Sequence, residues 1–196
     1  MNTLTNQITT RKLPSRILLT DSVRLSDPRD SVRALPAGSG VILRHYNVPD
    51  RAGLARELLA ICRPKKIPLL VAGDACLART IGANGLHLPE KMLAQEPSHW
   101  RRWLCPKTLL SVAAHSPKAL SKAVAASASF ALLSPVFPTK SHPNIKTIGI
   151  NRFANWTSKS NIPIYGLGGI NHLNKNRVLA TEAVGWAAIG ALTYKN

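Results

Sequence analysis

The stretch that decides the fold is Pro163–Leu192, PIYGLGGINHLNKNRVLATEAVGWAAIGAL. Its pattern predicts a strand over Pro163–Leu167, a glycine turn, a helix over Leu173–Ala183 that Asn171 caps, and a second strand over Trp186–Leu192. Two parallel strands joined by a helix form a βαβ unit, whose crossover is right-handed in nearly all known proteins. The glycines that end both strands then lie at the same edge of the sheet.

These glycines predict an anion site. Gly168 and Gly169 follow the first strand, and Gly190 lies near the end of the second. Glycine lets backbone N–H groups approach an anion closely. In (β/α)8 barrels a phosphate commonly binds at the loops after strands 7 and 8. Tight turns alone would also explain one glycine pair, but two such sites on successive strands favour a phosphate.

The rest of the chain repeats the alternation of strand and helix. Further strands are predicted at Ile17–Asp21, Gly40–Tyr46, Pro68–Ala72, Gly85–Leu88, Leu109–His115 and Phe130–Val136. Helices are predicted at Asp27–Leu35, Arg51–Arg63, Ala75–Ile81, Trp100–Leu104, Pro117–Ala126 and Asn151–Ser158. The alternation indicates an α/β fold with a parallel sheet, and the continuously apolar strands indicate burial on both faces. The number of units favours a closed (β/α)8 TIM barrel.

The end of the sequence predicts that this barrel lacks its last helix. The chain stops four residues after Leu192, which leaves no room for an eighth helix. A groove between the eighth and first strands would then be covered by the N-terminal tail or by a second subunit. We therefore list a homo-oligomer among the expected partners.

Length and composition predict a single domain of 16–196 behind a disordered tail of 1–15. The tail has no apolar core of a secretory signal, and no run of about 18 apolar residues predicts a membrane span. Cys62, Cys76 and Cys105 lack metal-ligand spacing, and the first two are expected to be buried thiols. We expect a cytoplasmic protein.

The charge is strongly positive, at +17 with a pI near 10.7. Such a field attracts phosphorylated small molecules, nucleic acid or acidic lipid. The basic residues are spread along the chain, however, and no nucleic-acid-binding motif is present. We therefore expect no specific nucleic-acid partner and no membrane partner.

An ordered set of motifs resembles a known family. The motifs are ILLTD (17–21), Arg44, LARTIGANGLHLPE (77–90), SVAAHS (111–116), SPVFPT (134–139), Gly149, IPIYGLGGIN (162–171) and EAVGWAAIGAL (182–192). Together they resemble the thiamine-phosphate synthases and their relatives, the TenI-like thiazole tautomerases. The resemblance implies a (β/α)8 barrel. It also implies that a thiazole phosphate is held by Gly168, Gly169, Ile189 and Gly190.

The chain departs from the synthase pattern where a synthase binds diphosphate and Mg²⁺. Arg44 matches a cationic position of the family. Tyr46, however, stands where the family has lysine, and Gly73 and Met92 stand where it has aspartates. Asp74 follows one position late and would serve a metal only if its loop shifted. These losses argue against efficient synthase chemistry, whereas the residues that the resemblance assigns to the thiazole phosphate are kept.

The resemblance also suggests the residue that does chemistry. Tautomerisation of a thiazole carboxylate moves a proton and needs no metal, so we expect no cofactor. Histidine suits that task near neutral pH, and His115 matches the catalytic histidine of the tautomerases. His87 ends strand four on the same face, and a hydrogen bond to the next loop would be its structural role. Thr139 and Lys140 are the remaining expected substrate contacts.

Three other functions stay open at this point. The first is a divergent synthase in which Asp74, Glu90 and Lys140 replace the lost ligands and Mg²⁺ is required. The second is a barrel that binds a phosphorylated ligand without turnover. The third is a basic RNA-binding protein, which gel shifts at two salt concentrations would detect because such binding weakens steeply with salt.

Overall fold

The computed structural model describes residues 13–94, 97–139 and 146–194. In this part of the chain, eight parallel strands close into a barrel in sequence order. The strands are β1 (Arg16–Leu19), β2 (Ser39–Leu43), β3 (Leu69–Ala72), β4 (Gly85–Leu88), β5 (Leu109–Ala114), β6 (Phe130–Leu133), β7 (Ile164–Leu167) and β8 (Gly185–Ala188). The predicted (β/α)8 barrel is confirmed.

Helices alternate with these strands and cover the outside of the barrel. They are α1 (Arg29–Ala34), α2 (Arg51–Cys62), α3 (Ala75–Thr80), α4 (Ser98–Arg101), α5 (Pro117–Ala125), α6 (Ile150–Ser158) and α7 (Lys175–Leu179), with 3₁₀ turns at Glu90–Ala94 and Gly190–Leu192. No α-helix follows β8 among the described residues. None of the helices in those ranges is long and apolar enough to cross a bilayer.

Every strand sends alternate side chains into the barrel, as the period of two requires. The interior is filled by an apolar cluster that includes Leu19, Ile42, Phe130, Leu132 and Tyr165. The other side chains of each strand face the helices and build the two outer clusters. Since all strands are parallel, their C-terminal ends form one edge of the barrel, which we call the mouth. Candidate side chains at strand ends therefore meet there.

The beginning of the described chain belongs to the barrel and not to a tail. Pro14 is buried and accepts a hydrogen bond of 2.5 Å from the Tyr165 hydroxyl, while Ser15 N donates to Gly38 O over 2.8 Å. Leu13 packs against the interior cluster. The prediction of a disordered tail through residue 15 is therefore wrong for 13–15. Residues 1–12 lie outside the described ranges.

The last βα unit differs from its prediction. The second strand of the opening stretch ends at Ala188, and the residues from Gly190 form a 3₁₀ turn instead. The helix begins after Asn174, because Asn171 is engaged in the preceding turn, where its Oδ1 accepts from Leu173 N over 2.8 Å. Asn171 is thus not the N-cap. Side-chain hydrogen bonds within the turn compete with helix formation.

The cysteines are also placed differently from one another. Cys62 is buried, as predicted, and burial raises the pKa of its thiol to about 12. Cys76 is exposed, so its prediction is wrong. The buried residues of the short α3 are Ala75 and Ala78, and Leu77 packs against an outer cluster, which leaves Cys76 on the outer side.

Candidate functional site

His115 lies at the mouth, directly after β5, and its ring is oriented. Its Nδ1 lies 2.8 Å from Ser134 O. A carbonyl oxygen only accepts, so Nδ1 carries the proton and Nε2 of the neutral ring is left as a base. The backbone N–H of His115 donates to Glu90 Oε2 over 2.9 Å, which anchors the end of the strand. The residue is exposed, so solvent or a ligand reaches it.

His87 lies deeper, inside the barrel at the end of β4. It is only 4% exposed, and its Nδ1 lies 2.8 Å from Ser111 Oγ on the neighbouring strand. Burial, and to a lesser degree the positive charge of Arg44, lower the pKa of His87 to about 3. His87 is therefore neutral at physiological pH. The hydrogen-bond partner of His87 therefore lies on the next strand, whereas the sequence predicted a partner in the next loop.

Ser111 is a site residue that the sequence reasoning missed. It pairs with His87 in the β4–β5 register and is fully buried. The signal was present in the alternation of β5, because Ser111, Ala113 and His115 share one face of the strand. A polar residue on that face of an apolar strand points toward the barrel interior.

Arg44 is held at the mouth by its backbone. Its N–H donates to Thr20 Oγ1 over 2.9 Å, and Thr20 Oγ1 lies 2.8 Å from His45 Nδ1. His45 Nε2 donates in turn to Leu25 O over 3.1 Å. Thr20 and His45 are fully buried, and their hydrogen bonds fix the turn after β2. Within the described ranges Arg44 makes no ion pair, although its charge acts on His87 and on Asp21.

The Gly168–Gly169 turn after β7 needs glycine for a reason that the sequence did not predict. Both residues have positive φ, at +93° and +67°. A Cβ on Gly168 would lie 2.8 Å from Pro135 Cα, and a Cβ on Gly169 would overlap the carbonyl oxygens of Phe137 and Pro138. The loop after β6 therefore packs directly against both glycines. This close packing is a second reason for glycine here, beside the predicted access of an anion to the backbone N–H groups.

The two predicted glycine sites do lie side by side. Leu167 pairs with Ala187, so the turn after β7 and the turn after β8 follow neighbouring strand ends. Among the described residues, no atom lies within 4 Å of the position that a Cβ on Gly190 would take. Within the same ranges, no hydrogen bond is seen from the N–H of Gly169 or Gly190. These two donors on the β7–β8 side of the mouth are therefore not engaged by the described part of the chain.

The opposite side of the mouth carries carboxylates that are already engaged. Asp74 Oδ1 caps α3 by accepting from Leu77 N over 2.8 Å, and its Oδ2 lies 3.5 Å from Arg51 Nη1. Glu90 accepts from the backbone of His115. Among the described residues, no three His, Cys, Asp or Glu side chains are grouped to hold a metal ion.

Two predicted contacts lie at the edge of the described chain. Thr139 is half-buried and is the last described residue before the gap at 140–145. Lys140 lies outside the described residues.

The barrel and the position of its histidines, arginine and glycine turns define a (β/α)8 protein whose candidate site is at the C-terminal ends of the strands, where this fold holds its ligands. The family model described as thiamine monophosphate synthase matches residues 27–192. The chain belongs to this family.

Individual relatives agree with this assignment. A putative thiamine-phosphate synthase 2 of Aquifex aeolicus is 36% identical over 132 residues, which are 66% of this chain and 69% of the relative. A thiamine-phosphate synthase of Roseiflexus is 31% identical over 94% of this chain and 76% of its own. Among solved structures, a thiamine phosphate pyrophosphorylase from Pyrococcus furiosus superposes with a TM-score of 0.74 at 24% identity, covering 92% and 87% of the two chains. At that identity the likeness shows the fold.

Proposed function

We propose that this chain binds a thiazole phosphate at the barrel mouth and moves a proton on its ring with His115, without a metal ion. The observation that carries the proposal is the orientation of His115, whose Nδ1 donates to Ser134 O over 2.8 Å. A ring held in this way presents Nε2 as a general base in one fixed tautomer. Exposure at the mouth keeps that nitrogen within reach of a ligand.

The phosphate would bind on the β7–β8 side. The backbone N–H groups of Gly169 and Gly190 support this, together with the open space at Gly190. Gly168 and Ile189 shape the two turns, and Thr139 and Lys140 are proposed to contact the ligand from the loop after β6. Hydrogen bonds to a charged acceptor contribute roughly 1.5–3 kcal/mol each.

The ring would then extend from this phosphate across the mouth. Arg44 is proposed to meet a second negative charge, such as a ring carboxylate, because it has no ion-pair partner among the described residues. His87 is neutral and fixed by Ser111, so it offers a hydrogen bond without adding charge. His115 takes a proton at Nε2 as a C–H bond of the ligand ring breaks. It then returns the same proton to the site of the ligand that is protonated in the other tautomer.

A thiamine-phosphate synthase activity is the second candidate, and the names of the relatives favour it. That reaction uses Mg²⁺ with a diphosphate substrate. The engagement of Asp74 as the α3 cap and of Glu90 by the β5 end weighs against it. A barrel that binds the phosphate ester without turnover is the third reading.

One pair of assays on the purified protein separates these functions. In the first, the thiazole carboxylate phosphate is incubated in D₂O with EDTA, and ring deuteration and tautomer ratio are followed by NMR. In the second, thiamine phosphate is measured after adding the pyrimidine diphosphate, the thiazole phosphate and Mg²⁺. We expect turnover in the first assay only. Turnover only in the second establishes the synthase, and ligand binding without either reaction establishes the non-catalytic reading.

A further inference from the structure

Three side chains meet over the end of β3, on the side of the mouth opposite the glycine turns. Gly73 has a φ of +70°, and a Cβ there would lie 3.3 Å from Tyr46 Cε1, 3.8 Å from Met92 Sδ and 3.9 Å from Pro89 Cγ. These residues follow β2, β3 and β4, so the group lies on the rim of the mouth. We call the surface formed by Tyr46, Pro89 and Met92 the Tyr46 wall.

The guanidinium group of Arg51 lies over the tyrosine ring of this wall. The guanidinium carbon of Arg51 lies 5.3 Å from the centroid of the Tyr46 ring. Arg51 Nη2 donates to Ala72 O over 2.6 Å, and Nη1 lies 3.5 Å from Asp74 Oδ2. The arginine side chain is 15% exposed, whereas Tyr46 as a residue stays 43% exposed. The ring is thus fixed on one side and open on another.

The cation next to the ring is already engaged. Arg51 is bound by the Asp74 carboxylate and by a main-chain carbonyl. The wall itself presents an aromatic ring, a thioether and a proline around the Gly73 position. Aromatic rings and methionine sulfur favour contact with a flat apolar or aromatic group.

We propose that the Tyr46 wall binds the planar ring of the ligand, so that this chain selects ring-bearing monophosphates over diphosphates. The inference rests on the proposed function, because it assumes that a phosphate is held across the mouth at the β7–β8 turns. It goes beyond that function by assigning the specificity of the ligand's other end to Tyr46. Stacking on one aromatic side chain is worth about tenfold in affinity.

The test measures binding by calorimetry in EDTA, without turnover. The probes are the thiazole phosphate, n-propyl phosphate and inorganic pyrophosphate. The variants are Tyr46→Ser, Tyr46→Phe and Met92→Ser, with Tyr194→Ser as the matched control. Tyr194 is 59% exposed and its backbone N–H bonds Ser31 Oγ on α1, away from the wall. Thermal melts check that each variant is folded.

We expect the wild-type protein to bind the thiazole phosphate at least about tenfold more tightly than n-propyl phosphate and to bind pyrophosphate more weakly than either. Tyr46→Ser should abolish that tenfold preference without changing the affinity for n-propyl phosphate. Tyr46→Phe and Tyr194→Ser should keep it. Met92→Ser should reduce it, which preserves the test if Tyr46→Ser does not fold.

Two results would overturn the inference in different ways. Equal binding of the thiazole and n-propyl phosphates by the wild-type protein, or a preference that survives in a folded Tyr46→Ser, removes the role of the wall and leaves the phosphate site intact. Failure of the wild-type protein to bind any of the phosphate esters removes the proposed function and the inference together.

Discussion

The glycines that follow the strands have different surroundings on the two sides of the barrel mouth. On the β7–β8 side, Gly168 and Gly169 bring backbone against backbone, whereas no described atom lies within 4 Å of the Cβ position at Gly190. On the β2–β4 side, Gly73 instead receives the Tyr46 ring, and Asp74 pairs with Arg51. Among the described residues, the N–H groups of Gly169 and Gly190 are not engaged on the first side, whereas Asp74 and Arg51 bind one another on the second. The mouth is therefore polarised between a candidate anion end and an apolar end.

Glycine at a strand end therefore does not have a single structural role. At Gly169 it permits the close approach of another loop, while at Gly190 the space is empty. The family resemblance implies the same role, phosphate binding, for Gly169 and Gly190. The packing around the two glycines is nevertheless different, so substitutions at the two positions should have different effects.

The largest effect is expected from His115→Ala. If His115 is the base between the two sides, its loss lowers the proton-transfer rate by about 10²–10⁴. Binding of the thiazole phosphate should change little, because the side chain bonds Ser134 O rather than the β7–β8 turns. The NMR assay in D₂O measures the rate and calorimetry measures binding.

His99→Ala is the control for this variant, since His99 is an exposed histidine on the short α4. It should leave both quantities unchanged. A loss of binding equal to the loss of rate in His115→Ala would show that His115 holds the ligand rather than reacting with it.

Gly169→Val should cost the most stability. The new side chain would sit at φ +67° and overlap the carbonyl oxygens of Phe137 and Pro138. Strain and overpacking together predict a loss of about 3–5 kcal/mol in the free energy of unfolding. Gly38→Val is the matched control, because Gly38 has a similar φ of +75° but nothing within 4 Å of its Cβ position.

Denaturant unfolding of the two variants isolates the contact with the β6 loop. Gly38→Val should lose only about 1–2 kcal/mol, from the backbone conformation alone. Equal losses in the two variants would mean that the β6 loop simply moves aside at Gly169.

Gly190→Val tests the anion end without disturbing the loop. Its Cβ would enter open space at a φ that ordinary residues adopt, so the fold should be kept. If a phosphate occupies that space, n-propyl phosphate should bind at least about tenfold more weakly, which corresponds to 1.4 kcal/mol. Calorimetry with a thermal melt of the same sample measures this. Unchanged binding by the folded variant would move the phosphate away from Gly190.

A dependence of stability on pH is expected from His87, which lies between the two sides. Its pKa is about 3 in the folded protein against an ordinary 6.5, because of burial and the Arg44 charge. Between those values the unfolded state takes up a proton that the folded state does not, so stability falls as pH falls from 6.5 toward 3. Above pH 6.5 this residue contributes no pH dependence.

Unfolding by urea at a series of pH values measures that slope. His87→Gln should flatten it by up to about 1.4 kcal/mol per pH unit, the limit for one proton. His99→Gln, on the surface of α4, is the matched control. An unaltered slope in His87→Gln would mean that the folded protein binds a proton at this site.

Much of the fold could be predicted from local patterns. β4 agrees with its predicted bounds, Gly85–Leu88, and α6 differs from its prediction by one residue. His115 could be placed at the mouth, because strand period and parallel order are enough to put it there. The cytoplasmic location and any homo-oligomer stay predictions.

The (β/α)8 barrel and the face on which the motifs gather follow from the sequence, because hydrophobic periodicity and strand order are local properties of the chain. The contacts of those residues depend on the three-dimensional packing. The Ser134 carbonyl that orients His115, the Ser111 hydroxyl beside His87 and the loop that fills the space at Gly169 come from neighbouring strands. Such contacts join residues about 20 or more positions apart, and no local pattern encodes the distance between them.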